Sequence, residues 1–276
     1  MPSNVSTKSG EDHGPPASRP IDDCRGPPQN NTLAVTNAVK NQYVGDINDF
    51  RKYGLIRALT GDGELSCGVC WMLTPDDGRT DGRFLSYLDE PEQWRSFDPK
   101  TFDALREIVH DHKRRDVSLV EDSGVLPSAA FFAPVLNDDR ENRAIYFAKA
   151  SAALRDAQLL FFDPDNGLEV PSVPVGRKRS QKYLYWAELP QFLVGNRPVL
   201  TYQHFPREER QAYIRRRADE IAKTFSRVCV YSFRTAHVGF FLVVQASSMR
   251  RFFRARVKEL ERRWNGQFQV ECHGNG

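Results

Sequence analysis

The chain has no long hydrophobic run. Its 276 residues contain no apolar stretch close to the roughly 20 residues that a membrane-spanning helix needs, so we expect no membrane role. Cysteine is also scarce: there are five, an odd number, which does not suit a disulfide framework. The N-terminus shows no charged start followed by an apolar segment, as a signal peptide would. These absences favour a reducing, cytoplasmic setting.

The sequence has little excess charge. The formal net charge is only +3, so the protein as a whole is not a polycation. Two stretches concentrate the basic residues, and each has a helical pattern: one runs from Arg207 to Arg217 and the other from Arg250 to Arg263. Acidic residues alternate with them, which is typical of solvated helix faces with ordinary ion pairs. The alternative is a surface that binds the phosphates of RNA or DNA.

Cys67 and Cys70 form the single metal-like or redox-like spacing. No second Cys or His pair accompanies them at the spacing of a zinc site, and both lie inside an apparent strand. We interpret the spacing as a coincidence within a buried strand and predict no metal.

Composition divides the chain into two parts. Residues 1–35 are rich in Pro, Gly, Ser, Asn and Asp and have no periodic apolar pattern, which predicts a disordered tail. Residues 36–276 then form a single α/β domain, with a loop-rich insertion at 75–99.

Within the domain, apolar runs alternate with helical patterns. This order predicts a Rossmann-like, mainly parallel sheet with helices on both faces, and the short connection between the last two strands predicts a C-terminal antiparallel hairpin. Strands are expected at 65–73, 117–120, 159–162, 198–202, 227–233 and 239–244. Helices are expected at about 43–59, 102–112, 129–136, 144–154, 185–193, 207–225 and 247–264.

The most informative segment is the apolar run 159–162, which leads directly into Asp163-Pro164-Asp165-Asn166-Gly167. Ligands of open α/β sheets bind beyond the carboxyl ends of buried parallel strands, so the two carboxylates and the amide predict a site. The other interpretation is a plain turn, since Pro, Asp, Asn and Gly are the commonest turn residues. His204 follows the next strand along the chain, at a second position where catalytic groups gather, or it is an ordinary loop histidine.

The chain resembles the class I S-adenosylmethionine methyltransferase fold, in the order of its elements and in a tetrapeptide after the strand at 159–162. More narrowly, it is similar to the J-type methyltransferases of large-subunit ribosomal RNA, which modify an exocyclic adenine nitrogen. Their His-Ala-Gly-Asn-x-x-Asp-x-x-Lys-His segment corresponds to residues 43–53, where the Gly, the second Asp and the Lys match. Their Asp-Pro-Pro-Tyr corresponds to residues 163–166.

This resemblance implies S-adenosylmethionine as cofactor, bound by Gly45, Asp46, Asp49, Lys52 and Glu121. Glu121, expected at the end of the second strand, would accept hydrogen bonds from the ribose diol. It also implies catalytic roles for Asp163, Asp165 and Asn166, which would align the acceptor amine, and we add His204 from its position. Asp49 and Lys52 alternatively form an ordinary helix pair, because they lie one turn apart.

Three differences from the family are clear, and one of them is the insertion at 75–99. The loop after the first strand has Thr74-Pro75-Asp76-Asp77-Gly78 in place of a Gly-x-Gly, and Asn166 stands where the family has an aromatic residue that stacks on the target base.

Three other functions compete with the methyltransferase. The segment at 161–168 resembles the Asp-x-Asp-Gly-Thr loop of haloacid-dehalogenase-type phosphatases, although that loop follows the first strand of its domain. Asp163, Asp165 and Glu169 would also suit a metal-dependent nuclease. The arginine-rich helices alone would suit a non-catalytic nucleic-acid-binding module.

Overall fold

The computed structural model describes residues 41, 43–75, 82, 84–112, 115–245 and 247–274. The predicted disordered tail at 1–35 lies outside this range. Part of the predicted insertion, at 76–81 and 83, lies outside it as well. The described residues all belong to one unit, Asn37–Gly276.

Nine strands and seven α-helices are described. The strands are β1 (Cys67–Cys70), β2 (Ala129–Phe132), β3 (Leu159–Phe162), β4 (Gly167–Leu168), β5 (Tyr183–Leu184), β6 (Val199–His204), β7 (Cys229–Arg234), β8 (Val238–Val244) and β9 (Gln269–His273). The helices are α1 (Ile47–Leu59), α2 (Pro91–Trp94), α3 (Pro99–Arg106), α4 (Val117–Asp122), α5 (Arg140–Ala153), α6 (Arg210–Thr224) and α7 (Ser247–Arg263).

Seven strands form the main sheet in the order β2-β1-β3-β6-β8-β7-β9. The neighbours among β2, β1, β3 and β6 are parallel, whereas β8 is antiparallel to both β6 and β7. The predicted α/β fold with a mainly parallel sheet and a C-terminal antiparallel hairpin is therefore confirmed. Strands β4 and β5 make a separate parallel pair beside the sheet.

The core lies on both faces of the sheet, as a buried parallel strand requires. In β3, Leu159 and Phe161 pack into one apolar cluster, while Leu160 and Phe162 pack into the other. Cys67 and Cys70 of β1 likewise point into opposite clusters. The two thiols therefore lie on opposite faces of the sheet.

Helix α1 begins at an Asp because that side chain can cap it. The Asp46 carboxylate accepts a hydrogen bond from the backbone N–H of Asn48, which satisfies one of the free donors of the first turn. The buried apolar side chains of the helix pack into the cluster on one face of the sheet. Along the described residues, none of the helices is long and apolar enough to cross a membrane.

Three predicted elements are wrong. Residues 117–120 are not a strand but the start of α4, because Asp116 caps that helix through the N–H of Ser118. Residues 129–136 are not a helix: their first four form β2, which pairs with β1. Residues 185–193 contain only one 3-10 turn, at Trp186–Glu188, since Pro190 interrupts the helical pattern.

These errors arise in short segments whose structure depends on strand pairing, which the chain order alone does not reveal. Short apolar runs fit a strand and a buried helix equally well, so tertiary contacts decide between them. The β9 edge strand, which pairs with β7, carries alternating polar residues and was not predicted.

Candidate active site

A cavity of about 910 Å³ opens at the edge of the sheet where β1, β3 and β6 end. This volume is in the range of small-molecule sites. Its wall includes the start of α1, the loop after β3, the chain leaving β6 and the turn between β7 and β8. Of the residues predicted from the sequence, the cavity brings together Asp46, Asp49, Lys52, Asp163, Asp165, Asn166 and His204.

Lys52 forms the centre of the site. Its Nζ donates to Asp49 Oδ1 at 2.8 Å and to Asp163 Oδ2 at 2.7 Å, so one ammonium joins α1 to the end of β3. The two alternatives for Asp49 and Lys52 are therefore both realised: they form a helix pair and they line the cavity. Asp163 Oδ1 accepts no hydrogen bond from a described residue, and this oxygen remains open to a ligand.

Burial and charge act against each other in this cluster. Burial lowers the pKa of Lys52, but the carboxylates of Asp163 and Asp49 outweigh it and hold that pKa well above its usual value. Burial raises the pKa of Asp163 to about 6, although the Lys52 ammonium pulls it down. The side chain of Asp163 is only 16% exposed. Near neutral pH both Lys52 and Asp163 are charged. Because the pKa of Asp163 is about 6, its carboxylate can take up and release a proton near that pH.

Gln203, a buried residue of β6, fixes the loop that carries Asp163. Its Nε2 donates to the carbonyl oxygen of Asn166 at 2.8 Å, and its Oε1 accepts from the N–H of Leu168 at 3.0 Å. Gly167 between them has a φ of +100°, and a Cβ there would lie 2.3 Å from Gln203 Nε2. Only glycine fits this position, so the amide and the glycine together define the course of the loop.

Asp165 and Asn166 are held by the neighbouring β5 segment. Lys182 Nζ pairs with Asp165 Oδ2 at 3.1 Å, and Thr74 Oγ1 donates to the same oxygen at 3.2 Å. The N–H of Asn166 donates to the Lys182 carbonyl at 2.9 Å. Two lysines thus neutralise the two carboxylates of the loop, one each.

Gly45 and Asp46, which precede α1, make contacts that hold the backbone of the cavity wall. The N–H of Gly45 donates to Asp49 Oδ2 at 3.1 Å, and a Cβ on Gly45 would lie 2.4 Å from Val109. Gly45 does not line the cavity, whereas Asp46 does. Both oxygens of Asp46 accept hydrogen bonds, from Asn48 and from the N–H of Phe84. Gly45 and Asp46 therefore shape the wall.

Asn48 supplies a polar atom without a partner. Its Nδ2 donates to Asp46 Oδ1 at 2.9 Å, which orients the amide. Its Oδ1 is buried and has no hydrogen-bond partner among the described residues, and Asn48 lines the cavity. A buried acceptor left unpaired costs free energy, and a ligand N–H would remove that cost.

The prediction for Glu121 is wrong in its position. Glu121 lies in α4 and not at the end of β2, because residues 117–122 are helical. Its Oε1 accepts the indole N–H of Trp71 at 2.7 Å, and it does not line the cavity. Burial raises its pKa. The chain after β2 continues as Ala133-Pro134, so that strand end has no acid to bind a ribose diol.

His204 ends β6 and lines the cavity. Partial burial lowers its pKa, with Asp165 acting in the opposite direction. Its imidazole forms no hydrogen bond with a described residue. His204 therefore lies in the cavity wall without a side-chain hydrogen-bond partner from that part of the chain.

Most residues of the two basic stretches have partners. Arg216 pairs with Glu208 and Glu220, and Arg217 is buried, where it pairs with Glu220 and donates to the Glu169 carbonyl. In α7, Arg262 pairs with Glu259, and none of the basic residues of that helix lines the cavity. The interpretation as solvated helix faces describes most of these residues.

Three contributors were missed as site residues by the sequence: Asn48, Thr74 and Gln203. Thr74 and Gln203 each follow or end a strand next to a predicted site residue, which is a signal that could have found them. Asn48 carries no such signal, because its buried amide oxygen is left without a partner by the hydrogen bond of its Nδ2 to the cap residue Asp46.

No family model matches the chain, and no curated protein matches it. Among solved structures it is similar to the crystal structure of protein LPL1258 from Legionella pneumophila str. Philadelphia 1, titled with the family model DUF519. The identity is 9%, the match covers 85% of this chain and 98% of that chain, and the TM-score is 0.42. A match this distant assigns no function.

Replacing Gln203 with Leu tests the loop clamp. Leu has a similar size but leaves the Leu168 N–H unpaired, and it leaves the Asn166 carbonyl with only the longer hydrogen bond from the His204 N–H at 3.4 Å. We therefore expect a loss of roughly 1–3 kcal/mol in the free energy of unfolding. Urea denaturation measures this loss, and hydrogen exchange at residues 166–168 should accelerate. Gln191→Leu is the matched control, because Gln191 is exposed; a variant of Gln203 that behaves like this control contradicts the clamp.

The raised pKa of Asp163 predicts a pH-dependent stability difference between the wild type and Asp163→Asn. The folded protein holds the Asp163 proton up to about pH 6, against 3.8 for an ordinary Asp. The wild type should therefore lose stability relative to the variant as the pH rises from 4 to 7, by roughly 2 kcal/mol. Urea denaturation at several pH values measures the difference.

Asp103→Asn serves as the control for that series. Arg95 lowers the pKa of the exposed Asp103, so its small effect should have the opposite sign. A difference between wild type and Asp163→Asn that does not vary between pH 4 and 7 would refute the raised pKa.

Proposed function

We propose that this protein transfers a methyl group from S-adenosylmethionine to a nitrogen of a nucleic acid base. The observation that carries the proposal is the Asp163 carboxylate, held by Lys52 at the carboxyl end of β3 in the wall of a cavity of about 910 Å³. The matching residues at 43–53 and 163–166 support the J-type ribosomal RNA methyltransferases as the nearest model for this chemistry.

The polar atoms of the cavity suit this cofactor. S-adenosylmethionine carries N–H donors on its ammonium group and on its adenine. Asn48 Oδ1 is a buried acceptor without a protein partner, and Asp163 Oδ1 is a free carboxylate oxygen. The wall also offers the aromatic side chains of Tyr43, Trp71 and Tyr202 to a flat ring.

When bound, the cofactor supplies an electrophilic methyl group. The residues of this chain then have to align the acceptor amine and favour the positive charge that develops on it. Asp163 suits both tasks, since its open Oδ1 can accept an amine N–H and its carboxylate is negative near neutral pH. Gln203 and Gly167 hold the loop still, which keeps the carboxylate in a fixed direction.

The competing chemistries lack a specific observation in their favour. Asp163 and Asp165 each pair with a lysine, and Glu169 accepts the N–H of Trp186 at 2.7 Å outside the cavity wall. No group of three or more His, Cys, Asp or Glu side chains placed to hold a metal ion occurs along the described part of the chain. We therefore propose neither a phosphatase nor a nuclease.

Binding of S-adenosylhomocysteine, the demethylated product, tests the cofactor assignment. Isothermal titration calorimetry should give micromolar binding to the wild type. Asn48→Leu removes the unpaired acceptor, and a net hydrogen-bond contribution of about 1 kcal/mol predicts a loss of roughly fivefold in affinity. Gln191→Leu is again the surface control, and a folded wild type that gives no binding heat would contradict the proposal.

Methyl transfer tests the role of Asp163. We expect transfer of tritium-labelled methyl groups from the cofactor to bulk RNA or denatured DNA, and we expect Asp163→Asn to lower it at least 100-fold, because general acid–base and electrostatic groups contribute about this much. Asp103→Asn should transfer as the wild type does. Equal rates for Asp163→Asn and the wild type would remove Asp163 from the reaction.

A further inference from the structure

An exposed aromatic pair stands at the cavity. Phe84 is 61% exposed, which is unusual for a large apolar side chain, and its ring lies parallel to that of His237 at 5.8 Å between centroids. The N–H of Phe84 donates to Asp46 Oδ2 at 3.1 Å, so the backbone of Phe84 is anchored to the cap of α1. We call this pair the Phe84–His237 ledge, and both of its residues line the cavity.

Two arginines beside the cavity differ from the rest of their stretch. Arg215, Arg216 and Arg217 all pair with glutamates, at distances up to 3.9 Å. Arg207 and Arg210 are exposed, line the cavity and pair with no carboxylate of the described chain. They are therefore available to an anion from outside.

The acidic residues between these arginines are already engaged. Glu208 pairs with Arg216 at 2.7 Å. Glu209 caps α6, where it accepts the N–H groups of Gln211 at 2.8 Å and Ala212 at 2.6 Å. Glu208 is therefore ion-paired and Glu209 is held at the N-terminus of α6, and neither forms an ion pair with Arg207 or Arg210.

The pairing of β6 with β8 brings the segment that carries Arg210 next to His237 of the ledge. His204 of β6 lies opposite Val238 of β8, directly after His237. The next residue, Phe205, packs within 3.2 Å of the position of a Cβ on Gly239, and the Arg210 guanidinium lies 5.8 Å from the Phe205 ring centroid. The wall of one cavity therefore includes Arg210, the largely buried Phe205, His237 and Phe84.

We propose that this surface binds a single-stranded segment of nucleic acid next to the acceptor, with a base stacked on the Phe84–His237 ledge and phosphates held by Arg207 and Arg210. Flat aromatic faces beside free cations are how single strands are bound without reading their sequence. The inference rests on the proposed function for its position beside the reacting base. In this proposal the ring that stacks on a base is Phe84, which lies outside the tetrapeptide at 163–166. Within that tetrapeptide, Asn166 stands where the J-type family has its aromatic residue.

Fluorescence anisotropy with a labelled single-stranded 12-mer tests the surface on the full chain. RNA and DNA of the same sequence, and the matching duplex, are titrated separately. We expect either single strand to bind and the duplex to bind at least tenfold more weakly. A duplex that binds as tightly as the single strands would overturn the inference, because a duplex base cannot stack on the ledge.

The variants separate stacking from charge. Phe84→Ala and Phe84→Leu should both weaken single-strand binding about 5- to 150-fold, the range that one stacked base contributes. Arg207→Ala with Arg210→Ala should flatten the dependence of log affinity on log salt by about 1.4, since each neutralised phosphate contributes about 0.7 on a single strand.

Two surface controls match these variants. Ile145→Ala removes another exposed apolar side chain outside the cavity, and Arg262→Ala removes an exposed arginine of α7. Neither should change the affinity or the salt slope. Equal losses in the controls and in the ledge variants would show a diffuse surface and overturn the inference.

Binding of S-adenosylhomocysteine to the same proteins separates this inference from the proposed function. Ile145→Ala and Arg262→Ala, whose side chains lie outside the cavity, should keep the wild-type affinity for that product. A wild type that binds the product but no single strand refutes the surface and leaves the cofactor assignment in place. A wild type that binds single strands through Phe84 but not the product refutes the methyltransferase and leaves the surface.

Discussion

The buried ammonium of Lys52 constrains the whole site. A lysine in this position is tolerated only when carboxylates compensate its charge, and Asp49 and Asp163 do so from two different elements. Because Asp49 and Lys52 are three residues apart on α1, the helix presents them together, and β3 brings the third partner. The ion cluster therefore fixes where α1 lies along the sheet, and the cavity wall follows from that position.

The four carboxylates of the site differ in the partners that hold them. Asp46 is occupied by the cap of α1, Asp49 by Lys52 and the N–H of Gly45, and Asp165 by Lys182 and Thr74. Oδ1 of Asp163 accepts no hydrogen bond from a described residue, and burial raises the pKa of Asp163 to about 6. Burial also raises the pKa of Asp46. Identical side chains thus take different roles because their partners differ, which is the pattern expected where one group works and the others support it.

How much of this could be predicted depends on whether a contact is local. The strand at 159–162 and the turn after it were predicted with their bounds, since a continuous apolar run followed by Asp-Pro is a local signal. The fold class followed from the alternation of apolar runs with helical patterns along the chain. Glu121 was misplaced because the short segment 117–122 has no pattern that separates a strand from a helix, and the Asp116 cap decides for the helix.

The contributors that were missed depend on long-range contacts. Gln203 matters through its approach to Gly167, thirty-five or so positions earlier in the chain, and no spacing in the sequence predicts that approach. The role of Asn48 depends on which end of its amide the Asp46 carboxylate occupies. Both residues are polar and partly or fully buried, so their environment and not their type determines their use.

Ion pairing decides how the basic stretches are interpreted. A run of arginines in a sequence has one formal charge per residue, but a glutamate four positions away on a helix removes most of its effect on an outside anion. Along α6 the glutamates follow the arginines, whereas Arg207 and Arg210 stand where the chain turns from β6 into the helix and lie beyond that pairing. These two unpaired guanidinium groups therefore lie at the cavity, where Arg210 is the first residue of α6.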